Sequence, residues 1–195
     1  MARLMAVLAV ALVLCAGPVL AHEGAAAGGG FASGFTHPIF GWDHVAAMVA
    51  VGLWGAFLGR PAIFMLPVAF PVVMALGGAL AIAGVHVPAV EIGIAVSALV
   101  IGSLVALAVR PPLVVAAAIV AVFALFHGHA HGTEMPSMAS PIAYAAGFVI
   151  ATGLLHLAGI GFGLLARWPT GALAVRTGGA AIAVAGAAFL AGAMA

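Results

Sequence analysis

From about residue 38 onward the chain alternates long apolar stretches with short breaks at Arg, Pro or Gly, which marks out segments near 38 to 58, 62 to 84, 90 to 109, 112 to 127, 141 to 166 and 172 to 194. A helix needs ~20 apolar residues to cross the hydrocarbon core of a bilayer, and most of these segments come close to that length. Backbone polar groups in lipid must be satisfied within their own segment, so a helix is the form expected of each. The pattern predicts an all-α membrane protein, a bundle of about six transmembrane helices filling residues 37 to 195. Gly and Ala recur in every span, as at Gly77-Gly78 and Gly178-Gly179, which lets helix backbones approach closely. No repeated half is evident, so an inverted-repeat architecture finds no support in the sequence.

The stretch ahead of the spans has a different character. Residues 1 to 21 carry a basic start at Arg3, an apolar core from Leu4 to Ala16, and Gly17-Pro18 before Val19-Leu20-Ala21. This reads as a cleaved signal peptide with small residues at the cleavage positions. The alternative is an uncleaved first span, but the apolar core falls short of the ~20 residues a span requires. Cleavage after Ala21 leaves a short periplasmic leader, 22 to 36, that begins with His22 and Glu23. A free α-amino group beside an imidazole makes His22 an additional metal-ligand candidate.

Charge then orients the bundle. Only 5% of the 195 residues are charged, against roughly a quarter in soluble domains, and 67% are hydrophobic, so the lipid bilayer is the solvent. All five basic residues are Arg, with no basic patch for nucleic acid and no polybasic segment for a membrane surface. No P-loop or other nucleotide-binding motif occurs. With an exported N-terminus, Arg60, Arg110 and Arg167 all fall on the cytoplasmic side and Arg176 lies near it, as the positive-inside rule requires. The expected place is the inner membrane of a bacterial-type cell, with both mature termini periplasmic.

The same orientation gathers the other polar residues at the outer face: His22, Glu23, His37, Asp43, His44, His86, Glu91, His127, His129, His131 and Glu134. Only His156 is deep. The carboxylates have no arginine within reach, and an intramembrane carboxylate must protonate, hydrate, bond to His or meet a cation from outside. Cys15 is the one cysteine and lies in the signal peptide, so no disulfide is available and any metal must be held by N and O ligands.

Two motifs concentrate this chemistry. The first runs Thr36-His37-Pro38-Ile39-Phe40-Gly41-Trp42-Asp43-His44 and on to Met48. Pro38 suits the first turn of a helix with Thr36 or His37 as its cap. His37, His44 and Met48 then form one stripe, but His37 and His44 would stand ~10 Å apart on a straight helix, too far for one ion. They share an ion only if the segment folds back; otherwise they mark two stations. A capping His with a structural Asp-His hydrogen bond is the bland alternative. The second motif is His127-Gly128-His129-Ala130-His131-Gly132-Thr133-Glu134. If helical, His127 and His131 are i, i+4 and share a face, with Glu134 continuing it. If Gly128 and Gly132 open the helix, His129 joins the set; a solvated His-rich loop is the structural alternative. His86 and Glu91 are weaker candidates, for which structural roles weigh as much as a place in a site; His156 is either a satisfied core residue or an inner station of a path, and Met48 fits packing better than a soft-ligand role.

Together the two motifs resemble those of the HupE/UreJ family of membrane proteins, and the likeness extends over nearly the whole chain. The resemblance implies a nickel or cobalt permease serving hydrogenase or urease. It assigns His37, Asp43 and His44 to a first-helix metal motif and His127, His131 and Glu134 to a fourth-helix one. Ni²⁺ or Co²⁺ is then transported substrate, with Zn²⁺ compatible, and no prosthetic group is expected. Imidazole suits Ni, Co, Zn and Cu, while the lack of thiolates argues against a Cu(I) specialist. Two other functions fit the same residues: an intramembrane zinc hydrolase, weakened by the lack of an HExxH motif, and a non-transporting metal chaperone or sensor. The sequence leaves homo-oligomerisation open.

Overall fold

The computed structural model describes residues 30–135 and 140–195, so the expected signal peptide and His22 lie outside the described residues. Among the described residues the secondary structure is helical, with no strand: α1 (Gly30–Phe40), α2 (Trp42–Leu58), α3 (Ala62–Ile82), α4 (Val90–Ala106), α5 (Leu113–Glu134), α6 (Pro141–Gly163), a 3₁₀ turn (Leu164–Arg167) and α7 (Pro169–Ala193). Each of the six apolar segments of the sequence thus becomes a helix. Helices α3, α5, α6 with its 3₁₀ turn, and α7 are long and apolar enough to cross a membrane, and α1 with α2 makes a fifth span if the bent pair is counted as one. The expected third span is shorter than its hydrophobicity suggests. Helix α4 has 17 residues and ends at Ala106, and two residues on Ala108 adopts φ 57° and turns the chain toward Arg110.

Three boundaries differ from expectation in ways that matter for the site. The first helix starts at Gly30, inside the segment read as leader, so Pro38 lies near the end of α1 and not in its first turn. Thr36 does not cap a helix; its hydroxyl donates to the Ala32 carbonyl 2.8 Å away. Pro38 removes the N–H that would have bonded the Gly34 carbonyl, and α1 runs only two residues past it, to Phe40. At Gly41 the axis breaks, and α1 and α2 meet at 79°. The fourth span is longer than expected. It stays helical through Gly128 and Gly132 to Glu134, so the second motif is wholly on a helix.

Packing is pairwise: α3 lies on α5, α4 on α7, and α2 and α1 both lie on α6. Without a hydrophobic drive between helices in lipid, such pairs gain from backbones close enough for dispersion contact. Gly128 on α5 sits against the backbone of Met74 on α3, and Gly52 on α2 sits against the backbone of His156 on α6; a Cβ at either would collide with main-chain atoms. The centre is filled by Met48, Leu53, Trp54, Leu66, Phe70, Ile101 and Val120, none with any exposed surface. Large side chains such as Ile142, Val114 and Leu173 cover the outside, as a lipid-facing surface requires.

Candidate metal centre

The break at Gly41 builds the site. A straight helix would hold His37 and His44 apart, but the 79° bend returns α1 across the end of α2, and the two rings meet with centroids 5.8 Å apart. Space at the bend is tight: a Cβ on Gly41 would stand 3.0 Å from His44 Nδ1. Helix α5 arrives at the same end of the bundle and delivers His131, whose ring lies 4.8 Å from that of His37 and 4.5 Å from that of His44. One nitrogen from each of His37, His44 and His131 lies within 4.8 Å of the others. Metal–nitrogen bonds are ~2.1 Å long, so small side-chain movements would bring this triangle onto one ion. Three helices supply the three imidazoles.

Carboxylates hold two of these rings. Oδ1 of Asp43 accepts from the His44 backbone N–H at 2.8 Å and from His44 Nδ1 at 2.7 Å. Asp43 also sits in the first turn of α2, where the helix dipole favours an acid. Because a carboxylate only accepts, the His44 proton belongs on Nδ1, and Nε2 keeps a free lone pair. That Nε2 is buried with no hydrogen-bond partner. On the other side, Glu134 Oε2 lies 3.1 Å from His37 Nε2. Both nitrogens of His131 are buried without a hydrogen-bond partner. Unpartnered buried imidazole nitrogens are costly, and a cluster of them brought together is a donor set that a cation would satisfy.

His127 lies one turn further into the bundle. Its Nδ1 donates to the Phe123 carbonyl at 2.9 Å, which again leaves Nε2 as a buried lone pair, and its ring is 5.2 Å from that of His44. His127 and His131 are i, i+4 on one helix as the sequence places them, and His131 in addition joins His37 and His44 across helices, with His127 beneath. The structure thus brings all six residues of the two motifs, His37, Asp43, His44, His127, His131 and Glu134, into one connected group.

The weaker candidates separate. His129 points to the other flank of α5, where Nε2 donates to the Val85 carbonyl at 2.8 Å and ties down the loop after α3. His86 in that loop and Glu91 in the first turn of α4 are exposed. Met48 is packed in the core. His156 is buried deep in α6. Sequence reasoning missed Phe70, whose ring touches those of both His127 and His156 with centroids 5.4 Å away in each case. It also missed Tyr144 and Phe148, whose rings lie 6.4 Å from His37 and 4.0 Å from His131. The lone tyrosine of the chain was a signal available for one of these; nothing marked the phenylalanines.

Fold and site together define a polytopic helical membrane protein with an imidazole and carboxylate cluster at one end of its bundle. The chain belongs to the HupE/UreJ family: the family described as HupE / UreJ protein matches residues 10–189. A curated relative, Protein HupE of Rhizobium leguminosarum bv. viciae, is 48% identical over 172 residues, covering 88% of this chain and 90% of the relative. No solved structure matches the chain significantly.

Proposed function

We propose that the protein is a secondary transporter of a divalent transition-metal cation, Ni²⁺ or Co²⁺, carrying it from the periplasm into the cytoplasm for metalloenzyme maturation. The observation that carries this reading is the triangle of His37, His44 and His131, drawn from three helices, with Asp43 and Glu134 bonded to two of its rings. Neutral imidazoles with adjacent carboxylates suit a borderline divalent cation such as Ni²⁺, Co²⁺ or Zn²⁺ and supply negative charge to offset it. Metal displaces protons from such ligands, which couples binding to proton release. Family membership supports the cargo class. The arginines at the opposite end of the bundle support the orientation: Arg110 and Arg167 line one cleft with Phe57 and Leu164, and Arg176 donates to the carbonyl of Ala106.

Transport is favoured over a hydrolase by how the polar groups are distributed. A zinc hydrolase needs a compact set of ligands with one open position. Here buried imidazoles continue inward from His131 to His127 and, past Phe70, to His156. The test is uptake of radioactive nickel into proteoliposomes, with Co²⁺ and Zn²⁺ as competitors. His44→Ala and His131→Ala are each expected to abolish saturable uptake. Wild-type rates in both variants would refute the proposal.

A further inference from the structure

Beyond the outer cluster, α6 presents a buried residue at each successive turn: Tyr144 beside His37, Phe148 beside His131, then Thr152 and His156. The last two have unusual bonding. A threonine in a helix commonly donates to a carbonyl one turn back, as even the exposed Thr133 and Thr177 do here. Thr152 makes no such bond, although it has no exposed surface. His156, 2% exposed, has Nε2 without a partner. Its other nitrogen is accounted for by α3 opposite, which carries Pro67 and Pro71. Pro71 lacks an N–H, so the Pro67 carbonyl four residues earlier has no helical donor, and the His156 ring bonds to the Pro67 backbone instead. That bond places the proton on Nδ1 and leaves the lone pair on Nε2. Thr152 and His156 are i, i+4 and share one face of α6.

Between this pair and the outer imidazoles stands Phe70. Its ring has no exposed surface and packs edge-on against both His127 and His156, the innermost imidazole of the outer group and the deep one. We propose that Thr152 and His156 form a second, inner metal station, separated from the outer cluster by the Phe70 ring, so that the ion crosses the protein in two bound steps. The proposal rests on the transport reading and adds a site to it. The ligands would be the imidazole Nε2 of His156 and the hydroxyl oxygen of Thr152, with water completing the shell. No carboxylate is among them, so the station holds a divalent cation more weakly than the outer cluster with Asp43 and Glu134, as a site that must release its ion requires.

The experiment measures Ni²⁺ alone in two ways on the full chain: equilibrium binding to purified protein and flux into proteoliposomes. Thr152→Val, which keeps the shape and removes the hydroxyl, and His156→Gln are each expected to slow flux about tenfold, equivalent to ~1.4 kcal/mol of barrier, while outer-site affinity stays unchanged. Thr152→Ser restores the oxygen and is expected to recover most of the flux, which a packing role for the threonine would not produce. Wild-type flux in both Thr152→Val and His156→Gln overturns the inner station and leaves the transport reading standing. Loss of Ni²⁺ binding together with flux in these variants also overturns it, since the defect then lies in the fold or the outer cluster. Wild-type vesicles that take up no Ni²⁺ overturn the transport reading and the station with it.

Discussion

Asp43 shows how one carboxylate sets the chemistry of the ring beside it. By accepting from Nδ1 of His44 it fixes that ring's tautomer and leaves Nε2 as the lone pair of a ring packed beside His37 and His131. Groups that orient a ligand in this way contribute strongly to metal affinity. Asp43→Asn preserves shape but removes the charge, and it is expected to weaken Ni²⁺ binding about 10 to 100-fold by isothermal titration of the purified protein. A purely structural Asp43 predicts a lower thermal midpoint with the affinity untouched. The residues of this site were largely legible in advance, because His and Asp are expensive in a membrane and declare themselves by being there at all. Phe70 and Thr152 were not legible: an aromatic or a threonine in an apolar span has an ordinary packing explanation, and only its neighbours reveal another.

Helix identity was readable from hydrophobicity, and so was the placement of breaks at Gly59 and Gly84, where the backbone takes φ 84° and 79°. The bend at Gly41 was not. With 27 glycines in the chain, no single one announces that it ends a helix, and Gly41 has ordinary backbone angles. Its role comes from the space it leaves beside His44 and from α1 folding back over α6. Glycine acts differently at Gly128, where it allows α3 and α5 into backbone contact. Gly128→Ala places a methyl against the main chain of Met74 and should cost about 1–3 kcal/mol by forcing the pair apart. The expected readout is a lower unfolding midpoint for the detergent-solubilised protein together with weaker Ni²⁺ binding, because α5 also carries His127 and His131. An unchanged midpoint would contradict this packing of α3 on α5.

At the scale of the whole bundle, charge is segregated among the described residues. The acids and imidazoles of the centre lie at one end, and Arg110 and Arg167 lie together at the other, stacked over Phe57 and Trp168. A rule that keeps arginine on the cytoplasmic side then predicts a periplasmic metal mouth and a periplasmic C-terminus. A C-terminal alkaline phosphatase fusion should be active and a fluorescent-protein fusion at the same point dark; the opposite pair of results would invert the proposed direction.

The sequence by itself determined the solvent, the helices and the residue types of the site, since burying backbone in lipid leaves few structures open and polar residues there are few enough to name. Tertiary structure decided which of those residues meet. Spacing along one helix suggested His127 with His131 and set His37 apart from His44; the bend at Gly41 and the packing of α1, α2, α5 and α6 instead joined His37, His44 and His131. Distances between helices depend on where backbones can touch, and in a chain this rich in small residues that is settled only when all the helices pack at once.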